Sequence, residues 1–301
     1  MSGKPKKMFI TATVLILTGL IIFAGVMTAM KWNFKGLSTV RYETNTHTIT
    51  EEYKNISVIS KTADIVLSPS ENGETRVVCY EMENVKHRVS VQNETLTIEV
   101  EDDRAWYQHI AINFDTPKIT IYIPKGEYGS LSVESKTGDV KIPSDFSFDS
   151  IDVSISTGDV KNYASVTKGI KIKTTTGDIC VENVSAYYLE LSVTTGDIAA
   201  SDIDCKNFLS GAGTGDMKLK NVIAEEKMVI ESDTGDITLE KCDAGEIYVK
   251  TDTGDVSGSL LSQKVFLCET DTGSVKVPKS DTGGRCEITT DTGDIKIEII
   301  E

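Results

Sequence analysis

Two patterns of apolar and polar positions divide this chain. From Met8 to Met30 the sequence reads MFITATVLILTGLIIFAGVMTAM, 23 residues without a charged side chain. As a helix such a stretch rises about 34 Å, enough for the ~30 Å hydrocarbon core of a bilayer. Further on, apolar residues recur at every second position. They include Leu131 and Val133, Ile151, Val153 and Ile155, Ile170 and Ile172, Leu189, Leu191 and Val193, Met228 and Ile230, and Ile247 and Val249. That period of two is the signature of strands with one buried face.

The alternating runs are held in phase by a repeated tripeptide. Thr-Gly-Asp places glycines at Gly138, Gly158, Gly177, Gly196, Gly215, Gly235 and Gly254; Gly273 follows in Thr-Gly-Ser and Gly293 in a final Thr-Gly-Asp. Successive glycines lie 19 or 20 residues apart. A fainter copy, Thr62-Ala63-Asp64, has alanine in place of glycine, which puts a left-handed turn there in question. Inward residues continue after each turn, as in Ile179 and Val181 or Ile237 and Leu239. Each unit therefore reads as strand, tight corner, strand. A unit this short cannot bury its own apolar face and must stack on its neighbours. We expect an all-β fold, a parallel β-solenoid or β-roll of about nine 19–20-residue coils, preceded by one transmembrane helix. An antiparallel meander of hairpins is the rival, because strand-Gly-Asp-strand also describes a hairpin. The lack of proline between Pro143 and Pro278 suits uninterrupted ladders.

The expected organisation is a basic tail (1–7), a transmembrane helix (8–30), a linker (31–43), an irregular β cap (44–130) and the repeat solenoid (131–301). A cleaved signal peptide fits less well. Its apolar core should be shorter, and Ala29 has Met27 rather than a small residue three positions before the cut. Lys4, Lys6 and Lys7 face Lys31, Lys35 and Arg41 across the helix, so the positive-inside rule leans only slightly toward a cytoplasmic N-terminus. The bulk of the chain is then extracytoplasmic.

Charge narrows the partners. The chain has 46 Asp and Glu against 31 Lys and Arg. Without the three lysines of the tail the remainder carries 28 basic residues against 46 acidic ones, a net −18. No basic stripe exists for a polyphosphate, so nucleic acid is excluded as a partner. Part of the acidity is periodic, since an Asp follows nearly every repeat glycine. That column offers oxygen ligands for Ca2+, strongest toward the C-terminus at Asp233, Asp236, Asp252, Asp255, Asp291 and Asp294. The structural reading has the Asp and Thr side chains bonding turn N–H groups from coil to coil, with Lys141, Lys161, Lys218, Lys276 and Lys296 offsetting the repulsion. We favour the structural reading, with no metal or cofactor.

Six cysteines invite a disulfide framework. Register places Cys242, Cys268 and Cys286 at inward positions as small hydrophobes, and a two-residue offset separates Cys268 from Cys286 on adjacent coils. Cys79, Cys180 and Cys205 are left without an assignment. The polar, aromatic insertion 101–116 carries Trp106, Tyr107, His109 and Phe114, which read as cap structure or as a recognition patch. All three histidines precede the repeats and no nucleophile-base motif appears, so the chain reads as a non-enzyme. The clearest breaks in the repeat are Phe208–Gly213 and Ser280–Arg285.

The anchor, the series KTGDV, STGDV, TTGDI, TTGDI, GTGDM, DTGDI, DTGDV and DTGDI, and the preceding strand KITIYIPK resemble the bacterial putative-adhesin β-repeat domain, also called the toastrack type. The resemblance covers residues 50 to 301 and is similar to LiaG-like membrane proteins. It implies a Gram-positive envelope, an extracytoplasmic β-solenoid and an association with envelope-stress systems. It supplies no catalytic residues. The expected function is a binding or scaffold module at the cell envelope, with an envelope protein or polymer as partner. The alternatives are an adhesive or polysaccharide-acting β-helix and a cytoplasmic, bactofilin-like membrane polymer. The final strand IKIEIIE is expected to be the open edge of the rod, guarded by Glu298 and Glu301, in a monomer.

Overall fold

A computed structural model describes residues 4–32, 40–102 and 115–300. The first element is the helix Lys4–Ala29. Its segment Lys7–Ala29 is long and apolar enough to cross a bilayer. Thr11, Thr13, Thr18 and Thr28 each donate a hydroxyl to the carbonyl four residues earlier, at 2.7–2.9 Å. These bonds remove the cost of placing a hydroxyl in hydrocarbon. A single-pass anchor and a signal sequence are both compatible with this helix.

The rest is a β-solenoid of about nine turns. Its coils pair in parallel, as in Leu191↔Ser210 and Ser210↔Ile230, which rules out the antiparallel meander. The coil Ile179–Thr195 shows the construction. Inward residues fall in three runs: Ile179 and Val181, then Val184 and Ala186, then Leu189, Leu191 and Val193. One corner is Thr-Gly-Asp. Gly177 there has φ 131°, and a Cβ on it would collide with the Gly158 carbonyl of the coil before. Glycine is thus needed both for its backbone angle and for close stacking. A second corner lies at Asn183, φ 56°, and recurs at Asp202, Asn221 and Lys241, with φ 54°, 52° and 56°. Asn and Asp are the non-glycine residues that best tolerate this region. Strict alternation misses this corner, because it shifts the inward set by one between Val181 and Val184. A 20-residue step has a local cause too. The strand Met217–Thr234 has 18 residues where Ile198–Thr214 has 17, and the register shifts between Ala224 and Lys227.

Inward columns fill the rod with side chains of varied size. One runs Ile170, Leu189, Phe208, Met228, Ile247, Cys286, all buried. The Phe208–Gly213 segment keeps this register, with Ser210 and Ala212 also inward. Its departure from the repeat is one of side-chain volume, since a large Phe208 is followed by small residues.

At both ends the order of coils in space differs from their order in the chain. The strands Gly284–Thr292 and Ile295–Ile299 pair on one side with Ile237–Thr253 and Val256–Leu260. On the other side they pair with Lys264–Thr272 and Val275–Lys276. The last strands in sequence therefore insert between two earlier coils. The expectation that Ile295–Ile299 forms the open edge is corrected: that edge belongs to Lys264–Thr272 and Val275–Lys276. The reason lies in burial. Ile288, Ile295 and Ile297 become buried inside, while the inward Val275, 41% exposed, stands at the end. Segment Ser280–Arg285 supplies the return, with Gly283 at φ 105°.

The N-terminal end repeats the exchange. Asn55–Ile59 and Asp64–Pro69 stack directly under the Asp139 coil. Thr95–Asp102 and Lys118–Ile123 form a further coil beyond them. Residues 44–130 thus hold two coils as well as a cap. The cap is antiparallel: Thr75–Met82 pairs with Lys118–Ile123 and with Tyr42–Ile49, and Val85–Gln92 pairs with Thr95–Asp102. Antiparallel strands laid on a parallel edge cover its unpaired groups.

Candidate functional site

The turn aspartates form a continuous hydrogen-bonded column. The Asp139 amide donates to Asp64 Oδ1 at 3.0 Å, and Asp159 to Asp139 at 2.9 Å. The pattern continues through Asp178, Asp197, Asp216, Asp236 and Asp255 at 2.8–3.0 Å. Asp294 then donates to Asp255 at 2.7 Å, and Ser274 to Asp294 at 2.7 Å. One carboxylate oxygen of each residue is thereby occupied by a backbone N–H. Ala63 turns its corner without a positive φ and still delivers Asp64 to the column. Threonines three residues before the glycine contribute as well: Thr174 Oγ1 donates to Gly158 O at 3.3 Å and Thr290 Oγ1 to Gly254 O at 3.1 Å.

The exchange of coils brings Asp233 and Asp236, Asp252 and Asp255, and Asp291 and Asp294 onto three consecutive levels, through Thr234↔Thr253 and Thr253↔Thr292. A groove of about 230 Å3 beside them is lined by Asp236, Asp255, Asp294, Lys276 and Lys296, with Thr238, Ser257 and Ser274. Its charge is mixed rather than purely acidic. The Ser274 amide, then its hydroxyl, hold the Asp294 carboxyl below the usual aspartate range, with Lys276 assisting.

A second surface lies on the outward face of the strands that precede each glycine. One outward register runs Glu190, Leu209, Val229, Tyr248, Glu287, Leu267. The neighbouring register carries Tyr188, Asn207, Lys227 and Glu246. An outward, solvated strand position is ordinarily polar, yet here Leu209, Val229, Tyr248 and Leu267 span about 19 Å at ~4.8 Å per level. Tyr248 is fixed from both sides. Lys227 Nζ lies 4.4 Å and Arg285 Cζ 5.6 Å from its ring centre, and its hydroxyl donates to Glu246 at 3.0 Å. Tyr188 donates likewise to Glu190 at 3.1 Å. The sequence reading passed over this surface because it followed only the inward half of the alternation. Aligning the residues two positions before Ser192, Gly211, Glu231 and Lys250 would have revealed it.

All six cysteines are free. Cys242 and Cys286 are buried. Cys268, expected to be buried, is only half covered because its coil is outermost. The two-residue offset holds: Cys268 faces Ile288 and Cys286 faces Phe266. Burial pushes the thiols of Cys79, Cys205 and Cys286 up to about 12, and those of Cys242 and Cys268 to about 11. Cys180 lies on an outward register between Lys161 and Ala199, and burial also raises its thiol. Trp106, Tyr107, His109 and Phe114 lie outside the described residues.

A parallel β-solenoid with Thr-Gly-Asp corners, exchanged terminal coils and an antiparallel cap defines the class of protein. The chain belongs to the Toastrack DUF4097 family, whose model matches residues 53–298. None of the curated proteins compared with it matches. Among solved structures it is similar to a "putative adhesin" from Parabacteroides distasonis ATCC 8503, at 10% identity over 86% of this chain and 98% of that one, with a TM-score of 0.52. It is also similar to a "putative adhesin" from Bacteroides fragilis NCTC 9343, at 18% identity over 86% and 97% of the two chains, TM-score 0.44. A "putative lipid binding protein" from Parabacteroides distasonis ATCC 8503 aligns at 12% identity over 87% and 98%, TM-score 0.40. At such identities the likeness to the first bears on the fold alone.

Proposed function

We propose that this protein is a membrane-tethered, non-catalytic module that holds a protein or polymer of the cell envelope on its outward sheet face, outside the cytoplasmic membrane. The observation that carries this reading is the outward register in which Leu209, Val229 and Tyr248 hold three consecutive levels, with Leu267 beyond Glu287, on a face where alternation calls for polar residues. The apolar helix Lys7–Ala29 supplies the tether, and the names given to the similar solved structures agree with an adhesin-like role. The turn column is left to structure, because its amide-to-carboxylate bonds already occupy it. An accessory part in envelope-stress response is the finer form of the proposal.

Protease treatment of intact cells, followed by photo-cross-linking from a reactive amino acid at position 229, tests it. The expected result is loss of the β domain without lysis and discrete adducts from position 229 but not from outward position 154. Digestion only after lysis would reject the placement, and absence of adducts would reject the face.

A further inference from the structure

The antiparallel cap contains a buried cluster that the family resemblance does not account for. Cys79 and Glu81 are two residues apart on the inward face of Thr75–Met82, and His87 reaches the same point from Val85–Gln92. All three are buried, at 0%, 1% and 5% exposure. Their donor atoms, Cys79 Sγ, a Glu81 carboxylate oxygen and a His87 ring nitrogen, lie within 4.8 Å of one another. His87 Nδ1 is 2.7 Å from Glu81 Oε2.

We propose that Cys79, Glu81 and His87 form a binding site for a divalent transition metal of the zinc type. Tetrahedral zinc, with bonds of about 2.3 Å to sulfur and about 2.0–2.1 Å to nitrogen or oxygen, spaces its ligands about 3.3–3.6 Å apart. That value falls between the present 2.7 Å contact and the 4.8 Å limit of the cluster, so side-chain rotation alone makes the site. Sulfur, imidazole and carboxylate together suit zinc rather than calcium or magnesium. Charge agrees as well. Thiolate plus carboxylate plus Zn2+ sums to zero, the composition that a buried site tolerates best. On binding, the Cys79 thiol proton passes to solvent; a neutral His87 with its proton on Nδ1 shifts it to Nε2, and a cationic His87 releases its second proton to solvent.

The surroundings hold the ligands as metal sites do. Asn45 Nδ2 donates to Glu81 Oε1 at 2.7 Å, and the His87 backbone N–H to Glu81 Oε2 at 2.7 Å. With Nδ1 on the metal, His87 Nε2 carries the proton and faces Ser60 Oγ, 3.4 Å away. A second, independent observation is His47 Nε2, buried and without a hydrogen-bond partner among the described residues. His47 sits beside Asn45 on the strand paired with Thr75–Met82, where Asn45 faces Cys79 and His47 faces Val77. A same-face neighbour at that diagonal is about 7–8 Å away by backbone, within reach of a long side chain. The fourth position is open to it or to water.

The test is metal analysis of the full chain purified in detergent and equilibrated with Zn2+, with Co2+ substitution as the spectroscopic probe. We expect about one zinc per chain, a thiolate-to-cobalt charge-transfer band, and a melting temperature raised by zinc. Cys79→Ser and His87→Gln should abolish the band and the shift, while Cys205→Ser keeps both. His47→Gln leaves the band but weakens retention if His47 is the fourth ligand. The wild-type chain alone can overturn the proposal. No stoichiometric zinc and no charge-transfer band would reduce the cluster to a buried Glu81–His87 hydrogen bond, whatever the folding of the variants.

Discussion

The amide of Asp294 donates to Asp255 Oδ1 at 2.7 Å across 39 residues of chain, whereas the links from Asp159 to Asp255 each span 19 or 20. The double-length step records the insertion of the final strands beneath an earlier coil. It makes the geometry at this end testable by covalent chemistry. Thr253 faces Thr292 directly, and Thr272 lies one level farther out. Adjacent strands place Cα atoms about 4.8 Å apart, inside disulfide reach, while two levels exceed it. Thr253→Cys with Thr292→Cys should cross-link under mild oxidation, and Thr253→Cys with Thr272→Cys should not. Non-reducing peptide mapping reads the outcome, and a 253–272 bond would restore the simple coil order.

How much of this was legible in the sequence depends on what distinguishes one copy from another. The Gly177 corner was plain, because only glycine serves its angle and its stacking, and the need recurs every 19 or 20 residues. The exchange at Thr253 was hidden, because Thr272 and Thr292 stand in the same motif and either could face it. What decides between them is total burial of Ile288, Ile295 and Ile297 against Val275 and Val277, a comparison of whole coils. The cap was hidden for another reason. Asn45 meets Glu81 across 36 residues with no repeat to align them, so proximity there follows from antiparallel pairing alone.

The corner glycines should be intolerant of even one methyl group. Gly177→Ala adds a Cβ against the Gly158 carbonyl at φ 131°. Backbone strain and overlap together should cost about 3 kcal/mol or more, read as a lowered urea midpoint. Ala63→Gly, at a corner that turns without a positive φ, should lower stability by about 1–2 kcal/mol, through chain entropy and the loss of one buried methyl. Equal losses at the two positions would contradict this account of the corner.

The aspartate column can be divided into its hydrogen bond and its charge. Asp178→Ala leaves the Asp197 amide without its 2.8 Å acceptor and should cost about 1 kcal/mol. Asp178→Asn retains a side-chain carbonyl at the same place and removes one negative charge from a stack of like charges. It should be neutral or slightly stabilising at low salt, with that advantage fading as salt is added. Urea denaturation at two ionic strengths separates these results. A loss from Asn as large as that from Ala would mean that the charge matters more than the acceptor.

The outermost link carries a pH dependence whose direction follows from Asp294. Its carboxyl is held low in the folded chain, chiefly by the Ser274 amide and then by the Ser274 hydroxyl. The folded pKa thus lies below the unfolded value of about 3.9. Stabilisation of the Ser274 coil is therefore fully present above that unfolded value and is lost as pH falls through the lower folded one. Because Asp294 is exposed, the effect is local. An NMR titration should give an Asp294 midpoint below that of free aspartate, with the Ser274 amide signal moving along the same curve. Ser274→Ala removes the hydroxyl's 3.0 Å bond but keeps the amide's, so it should raise the midpoint only part of the way. A wild-type midpoint equal to that of free aspartate would show that the Ser274 coil is not fastened through this carboxylate. The open edge at Lys264–Thr272 would then rest on its backbone ladder, its apolar contacts and the Thr270 Oγ1 bond to the Gly293 carbonyl.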